Sequence, residues 1–241
     1  MDFAFYTEVI VRLLGAVPTT LELAFVSVAI GAVMAVGLAM MRQSRIAALD
    51  MFARGFIFVF RGTPLLVQIF LIFYGLSQFP AIRQSWAWQY LREPYFCAIL
   101  ALALNTAAYT AEILRGGLQS VPFGQVEAAR ACGMSGFTLY RRIILPIAIR
   151  QALPSYGTEV ILMVRSTALA SIITLMELTG VAQKINSETF RAIEVFICAG
   201  AIYLAINFLL SRVIMALEYW LTPHLRAPKI AAAPATNGVA A

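Results

Sequence analysis

The stretch that decides the fold is LAFVSVAIGAVMAVGLAMM, Leu23–Met41, in which no residue carries a charge. A helix needs about 20 mostly apolar residues to cross the hydrocarbon core of a bilayer. A helix that is apolar on every side is either buried in a large core or embedded in lipid. We therefore expect a first transmembrane helix here.

Four further apolar segments follow along the chain. They are Phe52–Phe79, interrupted by Arg61-Gly62-Thr63-Pro64; Tyr95–Ala111; Pro154–Glu177, which contains Glu159 and Arg165; and Val195–Ser211. Hydrophobic residues make up 61% of the 241 residues and the mean hydropathy is +0.82, which is too apolar for a soluble domain with a wet exterior. The sequence predicts an all-α integral membrane protein with about five transmembrane helices in one domain, residues 1–222.

The orientation follows from the positions of lysine and arginine, because short cytoplasmic loops are enriched in both. Most basic residues follow the first, third and fifth spans. They are Arg42, Arg45, Arg54, Arg115, Arg130, Arg141, Arg142, Arg150, Arg212, Arg226 and Lys229, whereas the other side holds Arg12, Arg83, Arg92, Lys184 and Arg191. This asymmetry predicts that the N-terminus lies outside and the C-terminus in the cytoplasm. Residues 223–241, rich in alanine and proline, are predicted to form a disordered cytoplasmic tail.

The composition also excludes several classes of function. The net charge of +6 could suggest nucleic acid, but the basic residues lie at the ends of apolar runs rather than on one face. Cys97, Cys132 and Cys198 lie far apart and lack the spacing of a metal site or a disulfide framework. The only histidine is His224, near the C-terminus. The sequence therefore predicts no nucleic-acid partner and no metal site, and it leaves little room for histidine-dependent catalysis.

The segment between the third and fourth spans, residues 118–154, is too long and too patterned for a simple connection. It holds Glu127-Ala128-Ala129, then three residues to Gly133, nine to Ile143 and one to Leu145-Pro146. The two small alanines allow a partner backbone to come close, and Gly133 can adopt a left-handed turn that reverses the chain after a helix. The alternative is an amphipathic helix on the membrane surface, which explains neither Gly133 nor Leu145-Pro146.

This pattern resembles the EAA loop of binding-protein-dependent ABC importer permeases, and each of its fixed positions is filled. Three further stretches, Phe60–Gln68, Leu104–Glu112 and Arg165–Leu169, are similar to polar amino acid permeases. The likeness extends to the histidine and octopine/nopaline permease subunits.

The resemblance implies a permease subunit of a bacterial inner-membrane ABC importer for polar or basic amino acids or opine-like derivatives. In that family the loop forms short coupling helices that dock into a groove of the ATPase. The residues expected at that contact are Glu127, Ala128, Ala129, Gly133, Leu145 and Pro146. The expected partners are ABC ATP-binding subunits, a second permease chain (identical or different), a periplasmic solute-binding protein and membrane lipid. Because the chain lacks a Walker A motif, we expect ATP and Mg²⁺ on the partner ATPase and no cofactor on this chain.

Polar groups inside the spans require an explanation, since a charge at the bilayer centre costs about 2.5–3.5 kcal/mol on insertion scales. Asn105, Tyr109 and Glu112 share one face of the third span, and Gln68 shares a face with Arg61 on the second. The candidates for a substrate path are Gln68, Asn105, Tyr109 and Glu112. Such groups can equally hold helices together, and both readings stay open.

Arg61, Glu159 and Arg165 are assigned a structural or gating role. For the two arginines, one reason is that a fixed cation lining the path repels a basic substrate. From the sequence, Arg61 could pair with Glu112 or Glu159, and Arg165 with Glu159 or Glu177.

Two rival functions can be weighed from the same residues. Gly133-Met134-Ser135-Gly136 matches the GxSG string of rhomboid-type intramembrane proteases, but no histidine lies near it to activate the serine. A secondary transporter also places charges in the membrane, but the chain shows no inverted repeat. The sequence therefore predicts a transport subunit that is not an enzyme.

Overall fold

The computed structural model describes residues 3–221, and every regular element within that range is helical. In chain order the helices are α1 (Phe3–Leu14), α2 (Val17–Gln43), α3 (Ala47–Gly62), α4 (Leu65–Phe70), α5 (Pro80–Arg83), α6 (Trp88–Leu91), α7 (Pro94–Gln119), α8 (Phe123–Ala131), α9 (Gly136–Leu139), α10 (Leu145–Ser166), α11 (Leu178–Thr189) and α12 (Ala192–Leu221). A π-helical turn (Leu71–Gly75) and a 3-10 turn (Leu76–Gln78) extend α4, a π-helical turn (Tyr140–Ile144) joins α9 to α10, and a 3-10 helix (Thr167–Ile173) extends α10. The all-α prediction is confirmed, while the predicted disordered tail, 223–241, lies outside the described residues.

Four helical stretches are long and apolar enough to cross a membrane, namely Phe3–Gln43, Pro94–Gln119, Gly136–Ile173 and Ala192–Leu221. A fifth candidate is the pair Ala47–Gly62 and Leu65–Gln78, bent by 106° at the break between them. The prediction of about five spans is confirmed. The second span is broken at Thr63, which has an extended backbone because the ring of the following proline disfavours a helical one.

The fourth span begins earlier than the sequence predicts. Helix α10 begins at Leu145 and runs through Pro154, which the apolar pattern places at the start of the span. A proline removes one helical hydrogen bond, but membrane helices tolerate this loss because neighbouring groups satisfy the freed carbonyl. The predicted loop 118–154 therefore includes the first turns of this span.

Helices α2 and α7 share the most extensive contact in the bundle, and small residues allow their close approach. A Cβ atom added to Gly31 would lie 2.2 Å from Cγ2 of Thr106 and 3.0 Å from the carbonyl oxygen of Ala103. Helix α10 approaches α7 equally closely at another glycine. A Cβ atom added to Gly117 would lie only 2.6 Å from the carbonyl oxygen of Ala148. Small residues of this kind are typical of helix contacts in membranes.

Helices α2 and α7 run parallel to each other. Near their first residues, the Tyr95 hydroxyl donates to a carboxylate oxygen of Glu22 at 2.8 Å. Near their last residues, Nε of Arg42 lies 3.8 Å from Oε1 of Glu112. Because α2 and α7 cross the membrane in the same direction, the chain between them must cross it once in the opposite direction. The broken pair α3 and α4 makes that crossing.

A buried carboxylate attaches α11 to the rest of the bundle. Glu177 is fully buried and accepts hydrogen bonds from the Gly180 amide at 2.9 Å and from the Tyr203 hydroxyl at 2.8 Å. The amide of Leu178 donates to the hydroxyl oxygen of Thr20 at 3.0 Å. Helix α11 is thereby fixed to both α2 and α12.

Candidate transport path and coupling segment

The break in the second span leaves backbone carbonyls without helical partners, and two amide side chains bind them. The Gln68 side-chain amide donates to the carbonyl oxygens of Phe60 at 2.9 Å and Thr63 at 3.1 Å. Asn105 of α7 donates to the same Phe60 carbonyl at 3.2 Å and to Oε1 of Gln68 at 3.0 Å. Two of the predicted path residues are thus brought together in contacts that hold the break against α7.

Arg61 lies beside this break, on an open face of the bundle. Its guanidinium carbon lies 5.0 Å from the centre of the Tyr109 ring, within the range of a cation–π contact. The side chain is exposed, and within residues 3–221 it forms no ion pair. The pairings of Arg61 with Glu112 or Glu159 that the sequence allowed are therefore not formed, because Arg61 stacks on the tyrosine instead.

Three cavities, of about 540, 410 and 500 Å³, all have Arg61 and Tyr109 in their walls. The first two also reach Glu112, and the third reaches Asn105 and Glu159. Since they share residues, the cavities adjoin, and we call them together the polar crevice. Of the four predicted path residues, only Gln68 lies outside its walls.

Glu112 is held by two arginines at one end of the polar crevice. Its Oε2 accepts hydrogen bonds from Arg115 at 2.6 and 2.9 Å, while Oε1 faces Arg42. Arg42 also pairs with Asp50 of α3, which accepts a hydrogen bond from Arg54 at 2.9 Å. The network joins α2, α3 and α7, so the observed contacts of Glu112 are structural, and its place in the path stays a prediction.

This network was not predicted from the sequence. Two local signals of it are visible there, namely the four-residue spacing of Asp50 and Arg54 and the three-residue spacing of Glu112 and Arg115, both typical of ion pairs on a helix. Arg42 and Glu112 lie on other helices, and no local spacing connects them to Asp50.

Glu159 carries no such ion pair within residues 3–221. It is 8% exposed, lines the polar crevice and accepts a hydrogen bond from the Thr106 hydroxyl at 2.9 Å. Arg165 is exposed and forms no ion pair with Glu159 or Glu177 within residues 3–221. Glu177 instead caps α11. Sequence reasoning missed Thr106 because this hydroxyl reaches Glu159 from a different helix.

The coupling segment, which we define as residues 123–146, begins with α8 and a sharp reversal at Gly133. Gly133 has a φ of +79°. The Met134 amide donates to the carbonyl oxygen of Ala129 at 3.0 Å and the Gly133 amide to that of Arg130 at 2.9 Å. This pair of hydrogen bonds is a Schellman motif with the glycine at its left-handed position. The left-handed turn predicted for Gly133 is confirmed.

The surface of the coupling segment is partly apolar. Glu127 and Ala128 are exposed and Ala129 is buried, while Leu145 and Pro146 form the first turn of α10. Phe123 is 69% exposed and Phe137 is 77% exposed. Exposed aromatic side chains on a short segment between spans are typical of a protein-docking surface.

A helical bundle with about five membrane spans, an open polar crevice and a structured segment between two spans defines a membrane transport subunit. The chain belongs to the family of binding-protein-dependent transport system inner membrane components, which matches residues 16–223. The resemblance stated from the sequence is thereby confirmed.

Individual relatives agree with this membership. The chain is 59% identical over 233 residues to the octopine transport system permease protein OccM of Rhizobium radiobacter, covering 97% of this chain and 95% of that protein. It is 57% identical over 228 residues to the nopaline transport system permease protein NocM of Agrobacterium fabrum, covering 94% and 95%. A crystal structure of an amino acid ABC transporter with histidines matches at a TM-score of 0.82 and 36% identity, covering 91% of this chain and 99% of that one.

The chain is therefore an inner-membrane permease subunit of a binding-protein-dependent ABC importer. Such a subunit works with ATP-binding subunits and a solute-binding protein.

Proposed function

We propose that this permease moves basic amino acids or opine-like derivatives through the polar crevice, which a second permease chain, identical or different, closes on its open side. ATP and Mg²⁺ bind to the partner ATPase in this proposal, and the chain itself binds no cofactor. The names of the octopine and nopaline relatives support the substrate class.

The observation that carries the proposal is the exposure of Arg61 and of the break that follows it. Gly62, Thr63 and Pro64 are all exposed. Charged side chains and non-helical backbone are tolerated at membrane depth only where protein covers them or where they line a water-filled cavity. This face therefore meets protein or water rather than lipid, and five helices alone do not enclose it.

The charges of the polar crevice suit a solute with both a carboxylate and a cationic end. Arg61 can attract the carboxylate, so its positive charge does not exclude a basic substrate. Glu159 is the better candidate for the cationic end, because Glu112 already binds two arginines. Asn105 and Tyr109 can add hydrogen bonds from the same walls.

Replacing Glu159 with glutamine tests this proposal in the assembled transporter, reconstituted in vesicles with its solute-binding protein. The glutamine keeps an oxygen that accepts the hydrogen bond from Thr106, so the fold should persist while the negative charge is lost. We expect uptake of arginine or octopine to fall about tenfold to a hundredfold, the value of a hydrogen bond to a charged group, while neutral amino acids lose much less.

Glu112→Gln is the matched comparison, because it removes the same charge from the same crevice. If Glu112 is part of the scaffold, this variant lowers cationic and neutral uptake alike, or reduces assembly. A selective loss of cationic uptake in Glu112→Gln would instead place Glu112 in the path. Equal loss of both solute classes in a well-assembled Glu159→Gln transporter would contradict the proposed path.

We also propose that the coupling segment docks into a groove of the ATPase through Glu127, Ala128, Ala129, Gly133, Leu145 and Pro146. The exposed Phe123 and Phe137 and the compact reversal at Gly133 support this assignment. Binding sites built on helices are held more precisely than sites on loops, which suits a segment that docks to another subunit.

A further inference from the structure

A basic pocket lies where the last turns of α2 and α7 meet α3. Its volume is about 270 Å³, and its walls include Arg42, Arg54 and Arg115. The carboxylates that pair with these arginines are Asp50 and Glu112. Three guanidinium groups and two carboxylates leave one net positive charge, so the pocket suits an anionic group.

The arginines of this pocket retain free donors. Nε of Arg42 is buried and has no hydrogen-bond partner within the described part of the chain. Each guanidinium carries five N–H donors, and the two carboxylates do not use them all. A phosphate offers several strong acceptor oxygens, which makes it a good match for such a cluster.

An apolar groove of about 540 Å³ adjoins the basic pocket, since Gln43 and Leu118 lie in the walls of both. Val36, Met40 and Ile149 are among the groove's exposed lining residues. Val36 lies seven residues before Gln43 on α2, so the groove extends roughly 10 Å from the basic pocket into the apolar part of the bundle.

We propose that an anionic phospholipid of the cytoplasmic leaflet binds here, with its phosphate in the basic pocket and an acyl chain in the apolar groove. The continuity of a cationic pocket with an apolar groove at the end of membrane helices matches the two parts of one lipid molecule. The choice of leaflet rests on the proposed orientation of the chain, whereas lipid binding itself does not.

The position of this site connects it to the coupling segment. Tyr140 and Leu145 also line the groove, and both belong to the coupling segment, residues 123–146. A bound acyl chain would therefore pack between the transmembrane bundle and the segment proposed to contact the ATPase.

Native mass spectrometry of the assembled transporter in mild detergent tests the proposal. The complex is incubated with phosphatidylglycerol or, separately, with phosphatidylcholine that carries the same acyl chains. We expect one phosphatidylglycerol per copy of this chain to survive collisional activation, while phosphatidylcholine is lost. Equal retention of the two lipids would overturn the proposal, because the basic pocket would then make no contribution.

Variants separate the two halves of the site. Arg54→Gln with Arg115→Gln should lower retained phosphatidylglycerol roughly 25-fold, since each cation near an anionic surface contributes about a factor of five. Arg54→Lys with Arg115→Lys keeps both charges and should retain the lipid, which separates loss of charge from loss of fold. Val36→Phe fills the groove and should also displace the lipid.

Matched controls are Arg45→Gln, which removes an exposed cation from the same end of the bundle, and Val213→Phe, which enlarges an exposed residue of α12. Both variants should retain the lipid.

The pattern of loss across the variants distinguishes the possible ligands. If phosphatidylglycerol is lost only from the variant that combines Arg54→Gln with Arg115→Gln, and inorganic phosphate displaces it from the wild type, the pocket is a site for a soluble anion. If phosphatidylglycerol is lost only from Val36→Phe, the groove binds an apolar partner without help from the basic pocket. Either result would overturn the assignment to an anionic phospholipid.

Discussion

At the scale of single residues, Gly133 is the position where local backbone geometry bears most directly on the proposed coupling. Its left-handed φ comes from the Schellman motif that ends α8, and a Cβ atom added there would meet no other atom within 4 Å. A larger side chain would therefore not clash, and its effect must come from the backbone conformation alone. A left-handed non-glycine residue costs about 1–2 kcal/mol.

We predict that Gly133→Val re-aims α8 and stops transport, while membrane insertion and assembly of the permease stay near normal. The physical reason is that valine is branched at Cβ and disfavours the left-handed region, so the reversal must open. Transport and binding-protein-stimulated ATPase activity of the reconstituted complex measure the effect.

Gly133→Asn is the matched control for this variant. Asparagine tolerates the left-handed conformation better than other non-glycine residues, so it should keep most of the activity. Wild-type transport in Gly133→Val, at normal membrane abundance, would rule out the coupling role proposed for this turn.

At the scale of elements, the contact between α2 and α7 positions both the polar crevice and the basic pocket. Gly31 lies where the two helices approach each other, and Thr106 on the other side of that contact also holds Glu159. A change in this packing that moves Thr106 should therefore also move Glu159 in the polar crevice.

We predict that Gly31→Val lowers the thermal unfolding temperature of the purified complex. The added side chain would overlap Thr106, and overpacking of this kind costs about 1–3 kcal/mol. Gly37→Val, on the same helix at a position with no atom within 4 Å of an added Cβ, should have little effect. An equal decrease in both variants would show that the effect comes from the helix itself rather than from its contact with α7.

At the scale of the whole molecule, the parallel arrangement of α2 and α7 constrains how the chain crosses the membrane. The segments after these two helices lie on the same side, and the segment before α7 lies on the other. The distribution of lysine and arginine then assigns the first side to the cytoplasm.

We predict that single cysteines at Ser44 and Ser135 face the cytoplasm and that one at Ser85 faces outward. In a chain whose three native cysteines have been replaced, an impermeant maleimide should label only position 85 in intact cells with an opened outer barrier. Lysed membranes provide the control, in which the exposed position 135 should also react. Labelling at 135 but not at 85 in intact cells would contradict the orientation.

Features that depend on neighbouring residues could be predicted from the sequence. The apolar run Leu23–Met41 was sufficient to indicate a span, Pro64 to locate the break in the second span, and Gly133 to locate the reversal in the coupling segment. Each of these features follows from hydropathy or from the conformational limits of one or two residues. Pro154 shows the limit of such rules, because α10 continues through it.

The sequence by itself thus determined the class of protein, the approximate number of its spans and the turn of its coupling segment, whereas only the tertiary structure decided which polar groups meet. Gln68 with Asn105, Glu112 with Arg42 and Thr106 with Glu159 are all contacts between different helices. Such pairs depend on the rotation and register of packed helices, which are set by the shapes of small residues such as Gly31 and Gly117 across the whole interface. Hydropathy carries no information about that register, so the sequence pointed to Gln68, Asn105 and Glu112 but not to the groups that they contact.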